Sequence, residues 1–292
     1  MAKARYVYWS VVVIRKFETL IFNIKKNGGR HLRGRIAELI FEKVYPKLFE
    51  TLTKNIIICH TSQIREFLQG IKQHQGEILF ESSIYGGPFK LGDLTNILSC
   101  YRDLLDEKER LEKKIEFFRT KLGIETWSWA FWPKHCVLCC RHLSGFEEDS
   151  RGICYGCYMT AKSKLRRKEL KELEDVTGKI FAEEILKAWI VECFDDVLEV
   201  VSRLSIEDVL FLQEVYCGYL TGPPPFDYIG VALDGSEKYL IDVTSTRSGS
   251  MAGLSLKERK VAELAKRRGF KILVPVIYFG DNWNVVIKIE EL

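Results

Sequence analysis

A chain of 292 residues is too long for one minimal domain, and its 47% hydrophobic content is that of an ordinary globular protein, which predicts one sizeable core plus an accessory module. A formal charge of +4 excludes a global basic field, so any affinity for nucleic acid must come from local clusters. Asn and Gln are scarce beside Lys, Arg and Glu, a balance that leans toward a thermophile.

Tyr6 to Ile14, YVYWSVVVI, carries no charge but falls well short of the roughly 20 residues that span a bilayer. It runs straight into Arg15 and Lys16 without a small-residue cleavage site, so it predicts a buried strand or helix segment, not a membrane span or targeting signal. Nine cysteines without a signal peptide point to the reducing cytoplasm, where clustered thiols mean metal more often than disulfide.

From Gly34 to about Lys54 the pattern is helical with an interruption at Pro46, and NIIIC (Asn55 to Cys59) then reads as a short buried strand. Another helix is predicted after Thr61 and Ser62. The clearest helix runs over 93–123, with Asp93 as its N-cap and Gly123 as its stop. Leu94, Ile97, Tyr101, Leu104, Leu111, Ile115, Phe118 and Leu122 step by 3 and 4, broken at Lys108. That heptad seam wants a partner, either neighbouring helices of the same chain or a second copy in a homodimer. The aromatic run WSWAFW (Trp127 to Trp132) follows, as core beneath a metal module or as stacking surface for bases.

Cys136-x-x-Cys139 and Cys154-x-x-Cys157 are two thiolate pairs that can close a tetrahedron around zinc. With four protein ligands the site is structural rather than catalytic, although Cys140, His135 and His142 blur the ligand set. The second pair heads a helix, CYGCYMTAKSKLRRKELKELE, an arrangement that resembles treble-clef zinc modules. This helix carries Lys162, Lys164, Arg166, Arg167, Lys168 and Lys171, a row suited to salt-sensitive, sequence-independent contact with phosphates, against the plainer reading of a solvated helix.

After Gly178 comes GKIFAEEILKAWIVECF. Ser205 with Asp208 then opens a capped helix, and Pro223 to Pro225 stop all helix ahead of a hairpin. Ser255 with Glu258 caps a further helix that Gly269 ends, and KILVPVIYF and NVVIKIEEL close the chain as strands. The fold class is mixed α/β. A mainly helical region over 1–125 leads to a zinc module with its basic helix over 126–175 and an α/β domain over 176–292.

Within FDYIGVALDGSEKYLIDVTSTRSG (226–249), Asp234-Gly235 is a favoured turn centre. Counting back from it sets Ile229 against Leu240, Val231 against Lys238, and Asp227 against Asp242. Opposed carboxylates repel across an antiparallel pair, and a divalent cation between them removes the penalty. Mg²⁺, a hard cation that keeps several waters, suits two carboxylates.

Pro225-Phe226-Asp227, a hairpin, then Asp242-Val243-Thr244 followed by helix and strand resembles the PD-(D/E)XK nuclease superfamily over roughly residues 178 to 292. The resemblance implies a restriction-endonuclease-like sheet flanked by helices, with Mg²⁺ or Mn²⁺ bound by Asp227 and Asp242. A glutamate on a preceding helix would complete the site. Glu183 is preferred, and Glu38, with glycine four residues ahead in GRIAE, is the rival. If Glu38 serves, NIIIC supplies the strand before Asp227 and the intervening helix and zinc module are insertions.

Thr244 departs from the family pattern, which has a lysine there. Lys238 is too far from Asp242 and Lys271 belongs at the wrong end of a strand parallel to that of Asp242. Arg247, Lys257 and Lys260 are therefore the replacement cations considered, Lys260 because it borders Leu256, Val261 and Leu264. The leading expectation is a metal-dependent endonuclease, a hydrolase of DNA phosphodiesters. The alternatives are a non-catalytic nucleic-acid-binding regulator on a degenerate nuclease scaffold, and an assembly protein that works through the heptad helix and zinc module.

Overall fold

The computed structural model describes residues 5–8, 30–50, 55–82, 86–125, 135–143, 152–218, 225–246, 254–279 and 285–291. Arg247, Trp127 to Trp132, and Trp9 to Ile14 of the apolar N-terminal run lie outside them. The chain groups into two compact units where three consecutive regions are expected from the sequence. One unit combines residues 1–69 with 199–292, and the other is 70–198. Among the described residues, no helix is long and apolar enough to cross a membrane.

In the first unit the elements are β1 (Arg5–Tyr8), α1 (Arg30–Glu50), β2 (Ile56–His60) and α2 (Thr61–Gln69) from the N-terminal part. The second unit contributes β3 (Ile71–His74), β4 (Glu77–Ser82), β5 (Gly86–Lys90), α3 (Leu91–Ile97), α4 (Tyr101–Leu122), α5 (Tyr155–Lys164), α6 (Arg167–Ile180), α7 (Glu183–Cys193) and the start of α8 (Asp195–Val201). The first unit resumes with α9 (Ile206–Gln213), a π-helical turn (Glu214–Gly218), β6 (Tyr228–Ala232), β7 (Lys238–Ile241), β8 (Thr244–Thr246), α10 (Leu256–Arg267), β9 (Phe270–Phe279) and β10 (Val285–Glu291). This is the mixed α/β class that the sequence predicts.

The strands of the first unit form one sheet in the order β1-β10-β9-β7-β6-β2, with β8 continuing the line of β7 along β9. Pairing is parallel between β7 or β8 and β9 and antiparallel elsewhere, because α10 returns the chain across the sheet before β9 begins. One face packs Ile56, Ile58, Tyr228, Tyr239, Ile241, Val243, Leu273 and Ile277 against Ile36, Ala37, Ile40 and Phe41 of α1. Those α1 positions recur at helical spacing, and the helix runs through Pro46 without the predicted interruption. Alternation sends Ile229, Leu240 and Ile272, all fully buried, to the other face, where Phe211 of α9 meets Phe270 at 5.8 Å.

In the second unit, β3, β4 and β5 make a three-stranded antiparallel sheet that sequence patterning did not predict. The long helix expected over 93–123 is two helices. Gly123 does end it, in the left-handed conformation at φ 67°, but the N-cap is Lys90, and the chain breaks between Leu98 and Cys100. There the Ser99 hydroxyl donates to the Asn96 carbonyl at 3.1 Å, a local bond that competes with helix continuation. The seam residues Leu111, Ile115, Phe118 and Leu122 are buried inside this unit, in one core with Leu173, Val176, Ile180 and Trp189. Lys108, which breaks the seam, lies over the Trp189 ring at 5.0 Å and pairs with Glu192 at 2.7 Å.

Candidate functional site

The second unit gathers four thiols. Cys136, Cys139, Cys154 and Cys157 bring their sulfur atoms within 4.8 Å of one another, with Cys139 partly exposed and the others buried. The Cys139 and Cys154 sulfurs are 3.7 Å apart. A tetrahedron with Zn–S bonds of about 2.3 Å has an edge of roughly 3.8 Å, so the spacing fits a metal and is far from a disulfide. The first pair sits in a tight knuckle closed by the Cys136 amide on the Arg141 carbonyl at 2.7 Å and the Cys140 amide on the Cys136 carbonyl at 2.8 Å. Cys140 has φ 59°, and His135 and His142 face each other across a backbone bridge with rings 5.1 Å apart.

Cys154 is the N-cap of α5 and Cys157 lies in its first turn. Gly152 precedes them at φ 62°, and a Cβ there would meet the Phe181 ring at 2.7 Å, so the position admits only glycine without rearrangement. A hydrogen bond from Cys157 holds the Cys136 thiol down at about 5, and the same contact followed by burial pushes Cys157 up. The group could hold a structural zinc.

The predicted basic helix is broken into α5 and α6 at Leu165–Arg166, because the Glu169 carboxylate takes the Arg166 amide at 3.0 Å and starts a new helix. The six cations therefore do not form one rigid row. Lys164 caps the end of α4 through the Leu122 carbonyl at 2.7 Å. Lys162, Arg166, Arg167, Lys168 and Lys171 are exposed, the last three on the side of α6 away from buried Leu173, Val176 and Ile180.

In the first unit the hairpin has the predicted register. Val231 pairs with Lys238, Ile229 with Leu240, and Tyr228 with Ile241, where the ladder ends; the Asp227 amide donates to the carbonyl of that same Ile241 at 2.9 Å, so Asp227 and Asp242 flank the end of the hairpin ladder. The turn is fixed by the Gly235 amide on the Ala232 carbonyl at 2.8 Å and by the Asp234 carboxylate on the Ser236 amide at 3.0 Å. β2, the predicted NIIIC strand, pairs with β6, and α2 begins by latching the approach to Asp227: the Thr61 amide bonds the Asp227 carbonyl at 2.9 Å and its hydroxyl the Phe226 carbonyl at 2.7 Å.

Between β7 and β8 the register along β9 is unbroken, Ile241 facing Leu273 and Thr244 facing Val276, yet the ladder lapses at Asp242 and Val243. The Asp242 amide donates to the Leu273 carbonyl at 3.0 Å. In a parallel ladder the return bond to the Asp242 carbonyl comes from residue 275, which is proline and has no N–H. On the β6 side, the Val243 amide donates to the Asp227 carboxylate at 2.7 Å. Alternation places Thr244 on the face of Asp242.

Both aspartates are partly buried, and burial is the main reason that Asp227 is pushed up to about 7 and Asp242 to about 8. The charged groups acting on them deepen the effect: Glu38 and Glu258 raise both, and Asp227 raises Asp242. Glu38 comes from α1, which packs on β8. Glu42, one turn further on, accepts the Tyr228 hydroxyl at 2.9 Å. Glu183 belongs to the second unit, where it pairs with Lys187 at 2.6 Å.

Glu258 is the residue that sequence reasoning passed over, because it satisfied a capping rule. It does accept the Ser255 amide at 2.5 Å, but it also lies three, four and seven residues before the buried Val261, Ala262 and Ala265, on the side of α10 turned to the sheet. Lys260 is exposed on the other side with Leu256 and Leu264, which are 78% and 47% exposed, so the predicted apolar face of this helix is corrected. Lys271 faces Tyr239 at the far end of the parallel pair, as the sequence predicts, and pairs with Glu237. Lys238 is held by Asp208 and lies 4.7 Å from the Phe270 ring.

Among the described residues, the four cysteines are the one group of three or more ligand atoms that fall within 4.8 Å of one another, so the carboxylates are more widely spaced. Compared with family models, curated proteins and solved structures, the chain matches none.

Proposed function

We propose that the chain is a divalent-cation-dependent endonuclease hydrolysing DNA phosphodiesters, with Asp227 and Asp242 as the cation ligands. The observation that carries this reading is the pair of partly buried aspartates whose acting charged neighbours, Glu38 and Glu258, are acids as well. Such a set is costly alone and suits a cation. Two carboxylates with waters completing the shell is the habit of Mg²⁺, and Mn²⁺ takes similar oxygen ligands. When bound, the cation would supply Lewis acidity and a more acidic water.

The chain's own residues have separate tasks. The Val243 amide fixes the Asp227 carboxylate, leaving its second oxygen for the ligand. In this reading Glu38 is the third carboxylate in place of Glu183, since its charge acts on both aspartates. The Thr244 hydroxyl orients water on the face of Asp242 but brings no positive charge to the phosphate. The cysteine group is a zinc module of treble-clef type, and exposed Lys162, Arg166, Arg167, Lys168 and Lys171 contact phosphates through a salt-sensitive term.

Purified protein is incubated with plasmid, branched and single-stranded DNA in Mg²⁺ or Mn²⁺ beside Asp242→Ala. Cleavage above that of the variant is expected, and equal cleavage refutes the enzyme. One observation favours a second reading, a regulator that binds nucleic acid without cutting it: Thr244 replaces the lysine and Lys260 faces away from the sheet. A salt-dependent gel shift without cleavage would select it.

A further inference from the structure

The hydroxyl of Tyr216 is buried and has no hydrogen-bond partner, in a residue 1% exposed. Phenylalanine would fill the same volume without stranding a polar group, so packing does not account for the tyrosine. Its backbone lies in the π-helical turn Glu214–Gly218 that ends α9, and such turns gather at functional sites because the extra residue re-aims a side chain. The turn packs on α2, the helix whose first residue is bonded to the backbone of Asp227.

β2 sets Cys59 opposite Ile229, so Cys59 shares the sheet face of Ile229, Asp227 and Asp242. The Tyr216 hydroxyl is within electrostatic reach of Cys59 and Asp227, and burial keeps the phenol protonated, a neutral donor. Two independent features, an unsatisfied buried donor and a carboxylate with one oxygen engaged by Val243, are thus linked through α2 and through the electrostatic contact of Tyr216 with Asp227.

We propose that Tyr216 is a positioning residue of the Asp227–Asp242 site, its hydroxyl donating a hydrogen bond to a water held beside Asp227 when the divalent cation is bound. The proposal rests on the reading of the aspartates as a cation site. It gives the unsatisfied donor a partner in the loaded protein, and it supplies a neutral donor in a site whose Thr244 brings no charge.

The test is Mn²⁺ binding by the zinc-loaded full chain, followed by electron paramagnetic resonance of free Mn²⁺, for wild type, Asp242→Asn and Tyr216→Phe, with melting curves before Mn²⁺ is added. Wild type is expected to bind, Asp242→Asn to lose the site, and Tyr216→Phe to bind roughly 10- to 100-fold more weakly, as for other outer-shell partners. Before Mn²⁺ is added, Tyr216→Phe should melt at or above the wild-type temperature. Wild-type affinity in Tyr216→Phe overturns the role of Tyr216 and leaves the cation site standing. Equal binding by wild type and Asp242→Asn overturns the cation site and this proposal with it. A Tyr216→Phe protein that melts well below wild type shows that the hydroxyl is already satisfied, which also overturns the proposal.

Discussion

The carboxylate of Asp227 accepts the amide of Val243 at 2.7 Å, across the point where β7 gives way to β8. The bond ties the start of one hairpin strand to the end of the other, while on the β9 side Pro275 has no N–H to return to the Asp242 carbonyl. Asp242, freed from a flat strand, is left among Asp227, Glu38 and Glu258.

Stability should therefore fall with rising pH when Mg²⁺ and Mn²⁺ are absent. In the fold Asp227 and Asp242 titrate near 7 and 8, against about 3.9 for aspartate in an unfolded chain. The folded state holds these protons more tightly, so their contribution is complete below about pH 4 and is lost as pH rises through 7 and 8. Asp242→Asn resembles the protonated side chain. Its melting temperature is expected to match wild type below about pH 4 and to exceed it increasingly from there to about pH 8, by roughly 2–4 °C for each kcal/mol of difference. Thermal melts across this range check it, and a variant less stable than wild type at high pH would contradict the shared acidic environment.

The hairpin was the most legible part of the sequence because Asp234-Gly235 sets the turn and every later pair follows from it by counting. NIIIC was legible for a similar reason, five residues being enough for a strand and too few for a helix. Glu258 was hidden by a rule it really obeys, since a local cap explained its presence. The break at Leu98–Cys100 depends on a hydroxyl choosing one carbonyl, and the π turn at Tyr216 has no spacing signature. β3 and β5 combine short strands with Gly86, Gly87 and exposed polar residues, so no alternation marks them. The grouping of residues 1–69 with 199–292 follows from β2 pairing with β6, a contact between residues too far apart in sequence for periodicity to report.

Binding of Mg²⁺ near pH 7 should release protons. Carboxylates held near 7 and 8 are partly protonated there, and a cation binds only the ionised forms. Calorimetric titration in two buffers of different ionisation enthalpy should give different apparent heats, with release shrinking above pH 9. Equal heats at pH 7 would mean that the aspartates are already ionised.

With zinc on the four cysteines, their module is expected to fail as a unit when the metal is lost. Cys136, Cys154 and Cys157 lie in one core with Leu111, Ile115, Phe118 and Leu173, so loss of the metal leaves buried thiols without a shared ligand and removes the clamp on that core. Cys154→Ser is expected to lose bound zinc and, by hydrogen exchange, protection in α4 and α6. Zinc content equal to wild type would refute the ligand assignment.

Arg119 links that core to the first cysteine pair. Its side chain is 1% exposed, and the guanidinium reaches the Val137 carbonyl from Nε at 2.9 Å and Nη2 at 2.5 Å, with Nη1 3.3 Å from Glu116. The fork thus holds the backbone between Cys136 and Cys139 while one arm is neutralised by its own helix. A lysine has the charge but not the paired donors, and its compact ammonium is harder to strip of water. Arg119→Lys is expected to cost about 1.5–3 kcal/mol, the range for hydrogen bonds to charged groups. It should also speed zinc release to a chelator, because the loop carrying two of the four thiols loses its anchor. Chelator-competition kinetics beside denaturant melts separate the two effects. Wild-type zinc release from a destabilised Arg119→Lys would show that the arginine supports the helix core alone and does not hold the cysteine knuckle.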